Sequence, residues 1–525
     1  YQQRVEKYPL AQKIMSSFEN LKFENGKKPT DTNYYKMMQE MKDYNFFGKT
    51  TTYKHRVKLP GGVEIDLAKV INNFRRFTIT QALAFSPIVA ISNVTAGVTN
   101  HQILKWVGKK IYKEADNRAN NMITPLYGDS IRDIGSFDPQ SRLNKILYSF
   151  GMYDIEKRFE NAQFNKIARL IPNLSFGAMS IGNFSLQSKI TLSKLMESRL
   201  INGEFYTWGE YFREQNSLNP DITEKEAKIE FEKYSKNSMY DYLKDSGDFD
   251  LEKLSKDGFQ SDINKSKARI MSQIRDISEQ VTMEIHKPNE GYAARDPLWS
   301  FVLSLKKWMV LANTTMFSKE RVDLQTGGKE QGLIYALRVF RDIFKSAYKD
   351  QQGFMESYRG LEEHDRNTIK QSMVLTATLT AMLGLAIVMK GWGDDDDDEN
   401  PNYLKQLSVY MMLRNLNETS SGTVGIGDSY YSALQNPIMT LGTIGNVAKL
   451  ANLGNIGKTI ERGKYAGENK WISDAIKVTW LKNLYTFKDA NTIRITREGY
   501  TYFNQENSLY NLFDLLPDKP KDDEK

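Results

Sequence analysis

Between Lys370 and Lys390 the chain carries no charge for 19 residues, close to the roughly 20 that a helix needs to cross a bilayer core. A Gly-Trp-Gly break (Gly391, Trp392, Gly393) follows, then an acidic run from Asp394 to Asp398 and Glu399. A stretch of this kind has two physical solutions. It is a helix buried in a large helical core, or it packs in protein and enters lipid when released. Thr376, Thr378, Thr380 and Gly384 interrupt its apolar pattern, where a committed span carries more Leu, Ile and Phe. On the second solution the candidate membrane-contacting residues are Met373, Leu375, Leu379, Leu383, Leu385 and Ile387.

Two more windows lack formal charge. Residues 77–104 are rich in small side chains that let helices approach closely, with Pro87 expected to kink a helix there. Residues 170–188 carry Pro172, Gly177 and Gly182 and read as a loop plus a short buried helix, with a further helix over 189–200 and another starting within 203–212.

Around these windows the periodicity is helical. Val5, Leu10, Ile14 and Phe18 share a face, and residues 34–47 form a second helix. Thr223 and Glu226 form a capping box ahead of a charged helix. Ile270, Ile274, Ile277 and Val281 make the seam of a helix packed along another. Residues 297–317, with Trp299, Phe301, Trp308 and Met309, read as a buried helix. A second amphipathic helix over 329–348 places Leu333, Leu337, Phe340, Phe344 and Ala347 on one side. The best strand candidate is 51–67, which alternates and turns at Pro60-Gly61-Gly62.

The expected fold is therefore mainly α, an elongated multi-helix assembly with a small β-hairpin near 51–67. Its regions are a basic helical part with the hairpin (1–120), a helical part with a Gly/Ser-rich segment (121–218), a charged bundle (219–370), the apolar helix with its acidic run (371–400), and a Gly-rich segment with C-terminal aromatic helices (401–525).

Charge is uneven. Residues 1–120 hold 20 Lys/Arg and 10 Asp/Glu, a net +10 against +7 for the whole chain. A basic part of this kind meets nucleic acid, anionic lipid or an acidic partner, or is a solvated surface. Arg75, Arg76, Lys105, Lys109, Lys110 and Lys113 are the candidate contacts, the four lysines expected on one helix after the 77–104 window. Tyr34, Tyr35, Tyr44, Phe46, Phe47 and Tyr53 interleave with Lys36, Lys42, Lys49 and Lys54, in the manner of a single-strand stacking surface or of ordinary helix packing.

The motifs of catalysis are missing from the sequence. There are no cysteines, so disulfides, thiol catalysis and cysteine-held metal are excluded. The four histidines, His55, His101, His286 and His364, show no metal-ligand spacing. No phosphate-cradling loop or nucleophile elbow occurs. Asp245, Asp248 and Asp250 read as a polar turn, since the Gly and Glu that a calcium loop requires are absent. No catalytic residue, cofactor or metal is expected. The first residue is Tyr1, and the chain is expected to be part of a longer polypeptide.

This texture resembles the C-terminal portion of large internal virion proteins of tailed bacteriophages, most nearly the crAss-like phages. It does so over 73–101 (NFRRFTITQALAFSPIVAISNVTAGVTNH) and 360–400 (GLEEHDRNTIKQSMVLTATLTAMLGLAIVMKGWGDDDDDEN). The resemblance implies a non-enzymatic cargo protein that lies in the capsid or tail lumen. It would leave with the genome for the host envelope or cytoplasm and assist passage across the envelope. Its implied partners are the portal, the tail barrel and other cargo, with packaged DNA and host membrane, and several copies per particle. Some relatives of that kind are RNA polymerases with an aspartate-rich loop, of which this chain has no matching version. A static protein lining the portal or tail lumen, an accessory region of a larger virion enzyme, and a cellular membrane protein with one span at 371–389 remain the alternatives.

Overall fold

The computed structural model describes residues 87–107, 110–128, 131–133, 136–138, 140–152, 166–282, 307–325, 327–349 and 354–391. It adds short pieces at 12–13, 16–17, 35, 38–39, 56–58, 64–66, 70–71, 73–74, 77–78, 412, 415–417, 419–420, 457–460, 469–472 and 475. Of the residues it describes, 73% are helical. The mainly α reading with small hairpins holds. The chain divides into two units, one built from 1–82, 285–307 and 436–479, the other from 83–284, 308–435 and 480–525.

In the first unit β1 (Arg56–Lys58) pairs antiparallel with β2 (Glu64–Asp66). This is the hairpin expected over 51–67, and its register sets Arg56 opposite Asp66 and Lys58 opposite Glu64. An isolated bridge joins Thr459 and Asn469, and Asn469 Oδ1 accepts from the backbone of Trp471. The helix expected over 34–47, its aromatic–lysine pattern and the Gly-rich segment lie largely outside the described residues.

The second unit is built on long helices. α1 (Pro87–Val107) begins at Pro87. The proline starts the helix there instead of kinking it, because a first-turn N–H has no intrahelical acceptor to lose. α2 (Lys113–Gly128) follows, then the pair β3 (Ile131–Asp133) and β4 (Ser136–Phe137), then α3 (Arg142–Ser149), capped by Ser141.

α4 runs unbroken over Lys166–Glu197, 32 residues, through the segment expected to be part loop. Tertiary packing overrides local preference at this point. A side chain at Gly182 would collide with Val94 of α1, and one at Gly97 with Leu186 of α4. The small residues are there to let the two helices close on each other.

β5 (Arg199–Ile201) and β6 (Glu204–Tyr206) form a hairpin where a helix end was expected. Its turn, Asn202-Gly203, has φ of 49° and 84°, the left-handed pair that a two-residue hairpin needs. Capped helices come next: α5 (Trp208–Leu218), α6 (Glu224–Tyr234) and α7 (Leu251–Lys256). The Thr223/Glu226 box is formed as read. The acidic turn 245–250 is a polar turn, with Ser246 donating to Asp248, Asp245 paired with Arg142, and Asp250 capping α7.

α8 (Ile263–Thr282) lays its seam into the core, with Ile270, Ile274, Ile277 and Val281 all buried. The main core joins these to Leu143, Ile146, Leu192, Leu195, Phe205 and Trp208, among others. Tyr112 meets Phe231 edge-on with centroids 5.7 Å apart, and Trp208 meets Phe231 at 5.6 Å. Such pairs add about 0.5–1.5 kcal/mol beyond area burial.

α9 (Lys307–Phe317) is the end of the helix expected over 297–317, with Ala312 buried and Phe317 exposed; residues 297–306 lie outside the described residues. The hairpin β7 (Arg321–Val322) and β8 (Lys329–Glu330) leads to α10 (Leu333–Lys349). Its buried stripe is Leu333, Ala336, Val339 and Ile343, while Leu337, expected on that stripe, is 70% exposed. α11 (Phe354–Arg359) and α12 (Glu363–Gly391) follow.

Candidate functional site

α12 carries the uncharged stretch, and its two faces have different fates. Ile369 sits in a small core with Val339 and Ile343. Leu375 sits in another with Ile103 of α1 and Leu333 of α10, flanked by Val374, Leu379 and Met316. Gln371, Thr378 and Met382 are buried on the same side. Thr378 donates its hydroxyl to Val374 O at 2.8 Å, which satisfies a polar group on the packed face.

The other face is bare. Met373 is 53% exposed, Leu385 52% and Val388 60%. Between them Thr376, Ala377, Thr380, Ala381 and Gly384 are exposed as well, and a side chain at Gly384 would meet nothing. Of the six candidate membrane contacts, then, Met373 and Leu385 are exposed, Leu379 and Leu383 half-buried, and Leu375 is packed; the side chain of Ile387 lies outside the description. The buried-helix reading describes one side of the element; the other side is exposed.

Among the described residues the basic candidates do not form one surface. Arg75, Arg76 and Lys109 lie outside the described residues. α1 ends at Val107 and α2 begins at Lys113, so the four lysines do not share a helix. Lys105 is turned inward, 2.5 Å from Asp116 and 3.0 Å from Asn117. Lys110 is buried, 2.9 Å from Glu330 and 3.9 Å from Asp323. Both charges are spent inside the protein because a buried ammonium needs a partner. Lys113 is exposed at the start of α2.

These lysines belong to two buried networks. Asp116, fully buried on α2, has His101 Nε2 at 3.1 Å, Lys105 Nζ at 2.5 Å and Lys189 Nζ at 3.7 Å. One carboxylate thus ties α1, α2 and α4 together. Burial, the largest influence, would raise its pKa, but His101, Lys105 and Lys189 together hold it at about 2. Burial lowers the pKa of His101, with Asp116 only partly opposing.

The second network surrounds Lys110. Burial opposes its charge, yet Asp323 and Glu330 outweigh this and raise its pKa. Burial likewise opposes the charge of Glu330, but Lys110 and Arg321 overcome it and lower its pKa. Arg321 lies 3.0 Å from Glu330. Gln325 donates to the backbone of Gln273 at 2.9 Å and to Asp276 at 3.0 Å. Burial raises the pKa of Asp276, with Lys110 offsetting part of the rise. The β7–β8 hairpin is in this way pinned to α8 and to the α1–α2 junction.

Sequence reasoning missed the Lys110 network because its members are far apart: Lys110 and Glu330 are separated by 220 positions. No spacing rule reaches that far. Among the described residues no group of His, Cys, Asp and Glu is placed to hold a metal ion, and no helix is long and apolar enough to cross a membrane. No protein family, curated protein or solved structure matches the chain.

Proposed function

We propose that the chain is a non-enzymatic internal virion protein of a tailed phage. It is carried in the capsid or tail lumen beside portal, tail-barrel and other cargo proteins. It is released with the genome and assists passage across the host envelope by contact. The bare apolar face of α12 carries this reading, since a helix packed on one side and uncovered on the other is built to meet a second surface. The absence of cysteine supports it, because no disulfide obstructs a chain that must pass a narrow tail. Helical structure re-forms locally and fast after such a passage.

The test is made on particles of the phage that encodes the chain, before and after genome release is triggered in vitro. The chain is expected to be protease-protected in intact particles and gone from emptied shells. Retention in the emptied shell would favour a static lumen-lining protein. Absence from intact particles would overturn the virion reading.

A further inference from the structure

We infer that His101 is a proton-operated latch at the junction of α1, α2 and α4, holding the fold while its imidazole is neutral and loosening it in mild acid. The inference goes beyond the proposed function and stands on the buried junction alone.

The geometry suits only one charge state of the ring. His101 of α1 is 1% exposed and sets Nε2 3.1 Å from Asp116 Oδ1 of α2. Its other nitrogen, Nδ1, has no hydrogen-bond partner among the described residues. A neutral ring fits this site, with its proton on Nε2 toward the carboxylate and a lone pair on Nδ1. A protonated ring carries a second N–H, on Nδ1, that meets no acceptor and is cut off from water.

The surrounding charges point the same way. Two ammonium groups already share Asp116: Lys105 of α1 at 2.5 Å and Lys189 of α4 at 3.7 Å. One negative charge answers two positive ones, and an imidazolium would be a third on the same buried carboxylate. Two further helices touch α1. α12 meets it at Leu375, inside its uncharged stretch. α8 gives its Val281 carbonyl to Asn100 Nδ2, and its acids are Asp276, which accepts from Gln280 and Gln325, and the buried Glu279. The charges that act most on His101 are Asp116, Lys189 and Lys105. Burial is the largest influence and lowers its pKa, and the two lysines reinforce it against Asp116.

The sign follows. The unfolded chain takes up a proton near the ordinary histidine value of 6.5, and the fold refuses it. The stability held by the latch is full above that pH and is lost as pH falls from there toward the folded value. Between pH 7.5 and 5.5 one refused proton costs the folding equilibrium at most about tenfold.

The test is urea unfolding of the purified full chain across that window, beside His101→Gln. The glutamine amide can still donate to Asp116 but does not titrate. The unsubstituted chain is expected to lose up to about tenfold more in its folding equilibrium than the variant on going from pH 7.5 to 5.5. His55, His286 and His364 are common to both, so the difference belongs to His101. Equal losses overturn the inference. Lys189→Met removes one of the two competing ammonium groups, so its acid loss is expected to be smaller than that of the unsubstituted chain. An equal or larger loss there overturns the inference, since a purely structural His101 gives no such dependence on Lys189. Should His101→Gln fail to fold, NMR of the histidine-labelled chain reads the imidazole directly. One resonance is expected to titrate below pH 6.5 and to move upward in Lys189→Met. The absence of such a resonance overturns the inference.

Discussion

The Lys110 ammonium lies 2.9 Å from the Glu330 carboxylate, and both side chains are buried. The pair closes a loop of 220 positions and fixes the hairpin before α10 to the end of α1. Removing Glu330 leaves Lys110 with Asp323 at 3.9 Å and takes from Arg321 the carboxylate 3.0 Å away, both in a buried setting. Glu330→Gln is therefore expected to cost about 3–5 kcal/mol in urea unfolding. Lys110→Met/Glu330→Leu is expected to cost clearly less than the sum of the two single changes, a coupling that a double-mutant cycle reads directly.

Asp116 supplies a pH dependence with a definite sign. Its folded pKa, about 2, lies below the ordinary 3.8. The stability it contributes is present above the ordinary value and is lost as pH falls through the folded one. The shift corresponds to about 2 kcal/mol. Asp116→Asn is expected to be most destabilising at neutral pH, and the difference from the unsubstituted chain is expected to shrink between about pH 4 and pH 2. Asp276 and Glu197 have raised pKa values, chiefly from burial, and so contribute in the opposite sense, favouring the fold below the ordinary carboxylate range. Comparing chain and variant across pH isolates Asp116 from both.

Two glycines make a matched contrast. At Gly182 an added methyl meets Val94, a β-branched side chain with little room to turn. Gly182→Ala is expected to destabilise by about 1–3 kcal/mol. Gly384 has open space around it. Gly384→Ala is expected to stabilise by about 0.5–1 kcal/mol through helix propensity alone, measured by the same thermal or urea transition.

The two faces of α12 are separable by stability as well. Leu375 is 5% exposed and Met373 53%. Leu375→Ala is expected to cost about 2–5 kcal/mol. Met373→Ala is expected to stay within about 0.5 kcal/mol of the unsubstituted chain. Equal costs would mean that the face described as bare is packed.

Local chemistry was legible and tertiary chemistry was not. The Ile270–Val281 seam, the Thr223/Glu226 box and the hairpin over 51–67 are short-range patterns, and each is present. The hairpin at Asn202-Gly203 also carried a readable Asn-Gly signal, but its three-residue strands are too short to show a period. α4 defeated local reading because Pro172 and Gly177 argue against helix, while the reason for Gly182 lies on another element, at Val94. The fate of Lys105 and Lys110 was illegible because a lysine on the surface and a lysine buried against a distant acid look alike in sequence. α12 was half legible. Its lack of charge was plain, but its near-uniform composition hides which side packs, and residues of other helices, Ile103, Leu333, Val339 and Ile343, decide that.

With no native cysteine in the chain, single Met373→Cys, Leu385→Cys and Leu218→Cys variants can each carry one polarity-sensitive fluorophore at an exposed position. Phosphatidylcholine vesicles are expected to shift the emission at 373 and 385 to the blue and leave 218, on α5, unchanged. A blue shift at all three would mean that adsorption is not particular to α12. No shift at 373 and 385 would contradict the account of α12 as a helix packed on one face and built to meet a second surface with the other.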